Sequence, residues 1–325
     1  MALLSVENLS VGYRTKKGVL HAVDNISFSI EQGRSLGFVG ESGCGKTTVG
    51  MTLMGLLSEN ASVLQGDIFF NGKNFAKFDE VEWRSARGKD ISMIFQAAMN
   101  ALNPVIRVDE QIMEAIEIHH PSLSKEAMLK KVKKLFSLVK IPEDRLRDFP
   151  HQYSGGMKQR AVIAMALACN PRLIIADEPT TALDVIVQEQ ILKGIKQIQK
   201  TMRTSLIFIS HDIAVVADVC EDICVMYGGR IVEQGKREEV FRFPRHPYTK
   251  ALVSSYLSLD NDEKIAVPEI RSAPDLINVT EGCRFAANCI YNSQGCENRT
   301  PDWVQLSSTH KAFCRMNVIN KDNDD

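Results

Sequence analysis

Short apolar runs separated by turn residues fill the first forty positions: Leu3 to Leu9, Val19 to Val23, Ile26 to Ile30 and Ser35 to Val39. Runs of this length bounded by turns predict strands, so the N-terminal region reads as a small β-rich layer. Leu64 to Phe70, followed by Asn71-Gly72, predicts another strand closed by a tight turn. Ile91-Ser92-Met93-Ile94-Phe95 is a further run suited to a buried strand. From about Met99 to Leu146 the pattern becomes helical. Lys125 to Lys140 spaces apolar residues three and four apart among lysines, which predicts a helix with one solvated face. Leu173 to Ala176, Ser205 to Ile209 and Ile223 to Met226 predict central strands, with helical stretches such as Gln188 to Met202 between them. Strands alternating with helices imply an α/β fold around a mostly parallel sheet. After Phe243-Pro244-Arg245-His246-Pro247 the pattern weakens. Residues 246–325 read as a tail with scattered Pro and Asn and half of the cysteines, and Asn320 to Asp325 reads as disordered.

Composition narrows the class. The 325 residues allow more than one structural unit. A net charge of −1 gives no overall attraction to nucleic acid or anionic lipid. No apolar run approaches the roughly 18 residues of a membrane span. The start, Met1 to Glu7, lacks a basic segment followed by a long apolar one, so no export signal is predicted and the cytoplasm is the default. There, the eight cysteines read as thiols or metal ligands rather than disulfides.

Between the run Ser35 to Val39 and a predicted helix Thr48 to Leu57 lies Gly40-Glu41-Ser42-Gly43-Cys44-Gly45-Lys46-Thr47-Thr48. The spacing G-x-x-x-x-G-K-T is that of a loop that cradles phosphate. Glycine permits positive φ and close approach of backbone to an anion. Successive N–H groups and the helix start then face the ligand. Lys46 is the candidate for the β- and γ-phosphates, and the Thr47 hydroxyl for Mg²⁺. A plain glycine turn is the alternative; the strand before and helix after argue against it.

Arg172-Leu173-Ile174-Ile175-Ala176-Asp177-Glu178 is an apolar strand ending in two acids. Carboxylates at the C-terminal end of a parallel strand lie where such sheets bind ligands. Asp177 is the candidate Mg²⁺ holder, and Glu178 the candidate base for an attacking water. His211 and Gln96 also end apolar runs; His211 suits the γ-phosphate, and the Gln96 amide suits Mg²⁺ or water. Tyr13, read as sitting in a turn, is an aromatic face for a base or a buried structural residue.

Tyr153-Ser154-Gly155-Gly156-Met157-Lys158-Gln159-Arg160 resembles the signature of ATP-binding-cassette (ABC) ATPases, with Met157 where many members carry Gln. The ordered set of phosphate loop, Gln96, signature, acidic strand, Ala182-Leu183-Asp184 and His211 extends the resemblance over roughly residues 1 to 245. That resemblance implies a P-loop NTPase (RecA-like) core with an antiparallel β subdomain and an α-helical signature subdomain at about 97–165. A small Cys-rich extension, 246–325, follows the nucleotide-binding domain 1–245. It also implies two domains paired head to tail around two ATP molecules. Each ATP would lie between one phosphate loop and Ser154, Gly155 and Gly156 of the other domain. Tyr13 matches the adenine-stacking aromatic, Gln96 the start of the loop that senses the membrane subunit, and Asp184 the residue communicating across the dimer. Lys46, Gln96, Glu178 and His211 would carry the hydrolysis.

His151 to Arg160, the segment Met99-Asn100-Ala101-Leu102-Asn103-Pro104, and His246-Pro247-Tyr248-Thr249 before a cysteine-bearing tail resemble the dipeptide/oligopeptide/nickel importer ATPases. Ala97-Ala98 replaces the family's usual Asp-Pro. The Met157 version resembles the first of two ATPase subunits. The resemblance implies a heterodimer on the cytoplasmic face of the membrane, two permease subunits, an extracellular solute-binding protein, and uptake of peptides or nickel chelates. A soluble ABC ATPase driving an assembly or mechanical step is the alternative, and a P-loop kinase a more distant one.

Cys283, Cys289, Cys296 and Cys314 leave gaps of five, six and seventeen residues, without the C-x-x-C pair of a zinc ribbon. Four thiols in a short, poorly periodic tail suggest a metal that supplies folding energy. The importer ATPases carry a similar quartet associated with a [4Fe–4S] cluster, although Arg284 and Asn288 stand where prolines are common. Zinc is the second choice, and thiols or disulfides the third. His310 reads as a surface residue.

Overall fold

The computed structural model describes residues 2–96, 101–181, 183–260, 274–279, 281–292 and 295–315. Ala97, Ala98, Met99, Asn100, Ala182 and the segment Asn320 to Asp325, on which expectations fell, lie outside these residues. The chain divides into two compact units, one from 31–34 and 77–208, the other from 2–30, 35–76 and 209–325.

The N-terminal part of the larger unit opens with β1 (Ala2–Thr15) and β2 (Gly18–Glu31). The runs Val19 to Val23 and Ile26 to Ile30 are one strand rather than two. Asn25 between them takes φ 50°, and its N–H donates to Ser10 Oγ at 2.9 Å, so the backbone kinks without breaking the ladder. β3 is Ser35–Val39, fully buried as its apolar run requires, and α1 is Lys46–Leu53. The helix stops short of Leu57, where Gly55 turns left-handed at φ 61°. β4 (Ala61–Phe70) and β5 (Lys73–Asn74) complete an antiparallel sheet of order β2-β1-β4-β5.

The other unit starts at α2 (Glu80–Ala86), set by a capping box in which Asp79 and Glu82 satisfy each other's N–H groups. β6 (Ile91–Ile94) follows. The helical region resolves into α3 (Val108–His119), α4 (Lys125–Leu138) and α5 (Gly155–Ala166). α4 buries Met128, Val132, Leu135 and Phe136 and turns its lysines outward, as the spacing predicts. These three helices pack on one another. β7 (Leu173–Asp177), α6 (Val185–Met202) and β8 (Ser205–Ser210) end the unit's chain. β6 pairs with β7 in parallel, Ile91 opposite Leu173 through Ile94 opposite Ala176, and β8 lies beyond β7.

Back in the larger unit come α7 (Ile213–Val219), β9 (Asp222–Tyr227), β10 (Arg230–Lys236), α8 (Arg237–Arg242) and α9 (Pro247–Asp260). β3 pairs in parallel with β9, and β9 antiparallel with β10. The tail is more regular than its sequence pattern suggests. It supplies α9 and a hairpin, β11 (Asp302–Gln305) and β12 (Lys311–Cys314), and β12 adds to the β10 edge. Val304, Ala312 and Cys314 form the hairpin's own small core with Tyr291 and Leu306. Among the described residues no helix is long and apolar enough to cross a membrane.

Candidate nucleotide site

The phosphate loop is built from backbone that only glycine tolerates at two points. Gly40 has φ 153°, and a Cβ there would lie 2.1 Å from the Met226 carbonyl oxygen. Gly45 has φ 104°, and its Cβ would lie 2.2 Å from the Ala22 carbonyl oxygen. α1 starts at Gly45 with no side-chain cap and no acid in its first turn, the electrostatic condition for holding an anion. Lys46 is buried, and its ammonium donates to the carbonyls of Gly40 at 2.7 Å and Glu41 at 2.8 Å. Burial raises the Glu41 carboxyl, against the pull of Lys46, and burial likewise pushes the Cys44 thiol up. Ser42, Gly43 and Thr47 are exposed and face solvent. Tyr13 lies inside β1 opposite Ala61, not in a turn. It is half-buried, with its hydroxyl 3.2 Å from Thr48 Oγ1. The pairing of β1 with β4 continues past Val11 through that position, which is why the turn reading fails. His211 follows β8, exposed, beside Asp212, which caps α7 through the Ala214 N–H.

In the other unit, Asp177 ends β7 almost wholly buried. Glu178 takes φ 45°, the left-handed region that costs a non-glycine residue energy. Gln96 Nε2 donates to its Oε2 at 3.2 Å, and Thr181 Oγ1 donates to the same oxygen at 3.0 Å. Sequence reasoning singled out Gln96 and Glu178 but missed Thr181, whose only signal is its place three residues after the acid. Ser154 caps α5 by accepting the Met157 N–H at 3.3 Å, and it and Gly155 are exposed. A Cβ on Gly156 would lie 2.7 Å from Val187 Cγ1, so the signature helix and α6 touch where only glycine fits. Asp184 caps α6 through the Val187 N–H at 2.9 Å. Beside it, Val185 and Ile186 are 82% and 69% exposed, an apolar step uncovered on the surface.

The tail cysteines converge. Cys283, Cys289, Cys296 and Cys314 line one small cavity with His246 and Phe285. None of the eight cysteines forms a disulfide. Burial pushes the Cys283 thiol up, Cys289 to about 11 and Cys314 to about 12, so a metal must displace their protons. Among the described residues no group of three or more His, Cys, Asp or Glu side chains is placed to hold a metal ion. The expected metal centre is therefore a shared cavity and not a formed ligand set. His310 is buried rather than on the surface. Its Nε2 lies 2.7 Å from Glu233 Oε1, because β12 carries the preceding turn onto β10.

Residues 23–181 match the ABC transporter family, and residues 232–296 match the C-terminal region of oligopeptide/dipeptide transporters. The dipeptide transport ATP-binding protein DppD of Bacillus subtilis is 45% identical over 96% of this chain and 94% of its own. The oligopeptide transport ATP-binding protein OppD of the same species is 44% identical over 95% of this chain and 87% of its own. Among solved structures, the dimeric, post-hydrolysis ATP-binding cassette MJ0796 bound to ADP and Pi superposes with a TM-score of 0.65 at 26% identity, covering 72% of this chain and 98% of that one. With a phosphate loop, an acidic strand and a signature helix in family order, the chain belongs to the ABC transporter ATPases, among the dipeptide and oligopeptide transport ATP-binding proteins.

Proposed function

We propose that the chain hydrolyses ATP to power uptake of di- or oligopeptides through membrane permease subunits fed by a solute-binding protein. The observation that carries this reading is the pairing of a glycine-shaped phosphate loop with a tail matching the oligopeptide/dipeptide transporter region. Gly40 to Thr48 wrap the phosphates, and Tyr13 stacks on adenine. Lys46 neutralises β- and γ-phosphate charge as the phosphoryl group transfers. Thr47, Asp177 and Gln96 hold Mg²⁺, which supplies further charge neutralisation on the phosphates. Glu178, aimed by Gln96 and Thr181, takes the proton of the attacking water, and His211 steadies the γ-phosphate. Ser154, Gly155 and Gly156 close the site of a second domain, and Asp184 with the uncovered Val185 and Ile186 lies at that junction. The dimeric ATP-binding cassette with a TM-score of 0.65 supports such a pairing.

The partner domain is a distinct second ATPase, and the complex sits on the cytoplasmic membrane face. Purification of the native complex checks this; recovery of a homodimer alone removes the heterodimer. The four tail thiols would be the ligands of the [4Fe–4S] cluster that the family resemblance implies; they share one cavity, although no preformed ligand set is present among the described residues. Anaerobically purified protein is then brown with four irons per chain, whereas colourless protein with one zinc contradicts it. Nickel chelates are the second class of cargo that the family resemblance implies. Reconstituted transporter tests the substrate: dipeptides stimulate ATP hydrolysis several-fold, and stimulation by nickel chelates alone overturns the peptide reading.

A further inference from the structure

We propose that Tyr248 is a positioning residue for the phosphate loop, and that the C-terminal segment acts on nucleotide binding through it. The inference rests on the nucleotide reading of Gly40 to Thr48. Tyr248 is fully buried at the start of α9, and its hydroxyl oxygen accepts the Glu41 N–H at 2.9 Å. Its placement is over-determined. The Tyr248 N–H donates to His246 Nδ1 at 3.1 Å. The N–H groups of Arg245 and His246 donate to the buried Glu233 carboxylate at 2.9 and 2.8 Å. The backbone from Arg245 to Tyr248 is thus pinned to β10, and the ring is packed between Tyr227 and Phe285.

The peptide it holds is the one Lys46 also holds. Lys46 donates to the carbonyls of Gly40 and Glu41, on either side of the N–H that Tyr248 accepts. When the ammonium turns to a phosphate, those two bonds weaken or break. The Tyr248 hydroxyl then remains to keep the start of the loop in its anion-accepting shape. Preorganisation of this kind strengthens binding by lowering the ordering cost rather than by touching the ligand.

Tyr248 in turn leans on the tail. Its ring packs against Tyr227 at 4.7 Å and Phe285 at 5.5 Å between centroids. Phe285 is buried, sits two residues after Cys283, and lines the cysteine cavity. A second route runs beside the first. Arg284 donates to the Gly228 carbonyl and pairs with Asp24 at 2.6 Å, and the neighbouring Gly229 N–H donates to the Cys44 carbonyl at 3.0 Å. Two adjacent tail residues therefore reach two peptides of the phosphate loop.

The test uses the full-length chain and Mg-ATP titration with a fluorescent nucleotide. Tyr248→Phe keeps the ring and removes the acceptor; affinity is expected to fall about 2- to 12-fold, the range of one neutral hydrogen bond. The Glu41 amide exchanges faster with solvent in that variant. In the assembled transporter KM for ATP rises while kcat stays within about twofold. Phe285→Leu, with the hydroxyl intact, shifts affinity in the same direction, and it decides the matter if Tyr248→Phe does not fold. Wild-type affinity in either folded variant, with only a lower Tm, reduces Tyr248 to packing and overturns the proposal. Lys46→Ala is the control. If wild type binds and Lys46→Ala does not, the nucleotide reading stands and a silent Tyr248→Phe sinks this inference alone. If wild type itself does not bind, both fail.

Discussion

Glu178 pays for its position in backbone strain, and the side chains that aim it explain why the strain persists. Such a conformation costs about 1–2 kcal/mol, set against two hydrogen bonds from Gln96 and Thr181. Nothing in the order of residues announces a left-handed acid, since the next residue alone does not fix φ. The glycines of the loop were legible, because G-x-x-x-x-G-K-T has few other uses. Gly45→Ala tests them: with φ 104° and a carbonyl 2.2 Å from the added methyl, the loop must open. Nucleotide affinity should drop more than about tenfold, by the same strain argument; unchanged binding in a titration would show the loop geometry to be incidental. His246 gives a pH dependence. Burial holds it neutral down to about 3, while the unfolded chain takes up a proton near 6.5. Its contribution is intact above about pH 6.5 and is lost as pH falls, because only the unfolded chain then binds the proton. Between pH 6.5 and 5 this amounts to about 2 kcal/mol. His246→Asn keeps an acceptor for the Tyr248 N–H, so urea midpoints should show a shallower acid slope. An identical slope would contradict the assignment.

Elements were readable where burial was two-sided. β3 runs Ser35–Val39 as its apolar run predicts, and β7 and β8 differ from expectation by one residue at an end. β10 and the tail hairpin were not readable, because β10 has only Ile231 and Val232 as an apolar run, and in the hairpin the buried Val304, Ala312 and Cys314 are separated by polar or partly exposed residues. His310 was misjudged for the same reason: its burial comes from a strand pairing distant in sequence, which local pattern does not encode. At α5 the cap and the proposed ATP contact are the same hydroxyl. Ser154→Ala should cost about 1 kcal/mol of stability through the lost cap. It should lower ATP turnover in the assembled complex far more than that loss explains. Calorimetry paired with turnover separates the two; a stability loss with normal turnover would leave Ser154 as a cap only.

At the scale of the whole molecule, the two units carry different halves of the proposed chemistry. The larger holds the phosphate loop, Tyr13, His211 and the tail; the other holds Gln96, Asp177, Glu178 and the signature. That division was visible in the sequence only as motif order, since chain proximity does not report which strands share a unit. The strands α/β patterning predicts are present, and the tail's cysteines share one cavity, yet no metal-holding group is formed among the described residues. The claim on which the rest depends is that Glu178 drives hydrolysis that peptide uptake consumes. ATP turnover of the reconstituted transporter, wild type against Glu178→Gln, tests it most directly. A loss of about 100-fold or more is expected, the contribution of a general base, with Mg-ATP affinity within about twofold of wild type. Turnover of Glu178→Gln within a few-fold of wild type would contradict it.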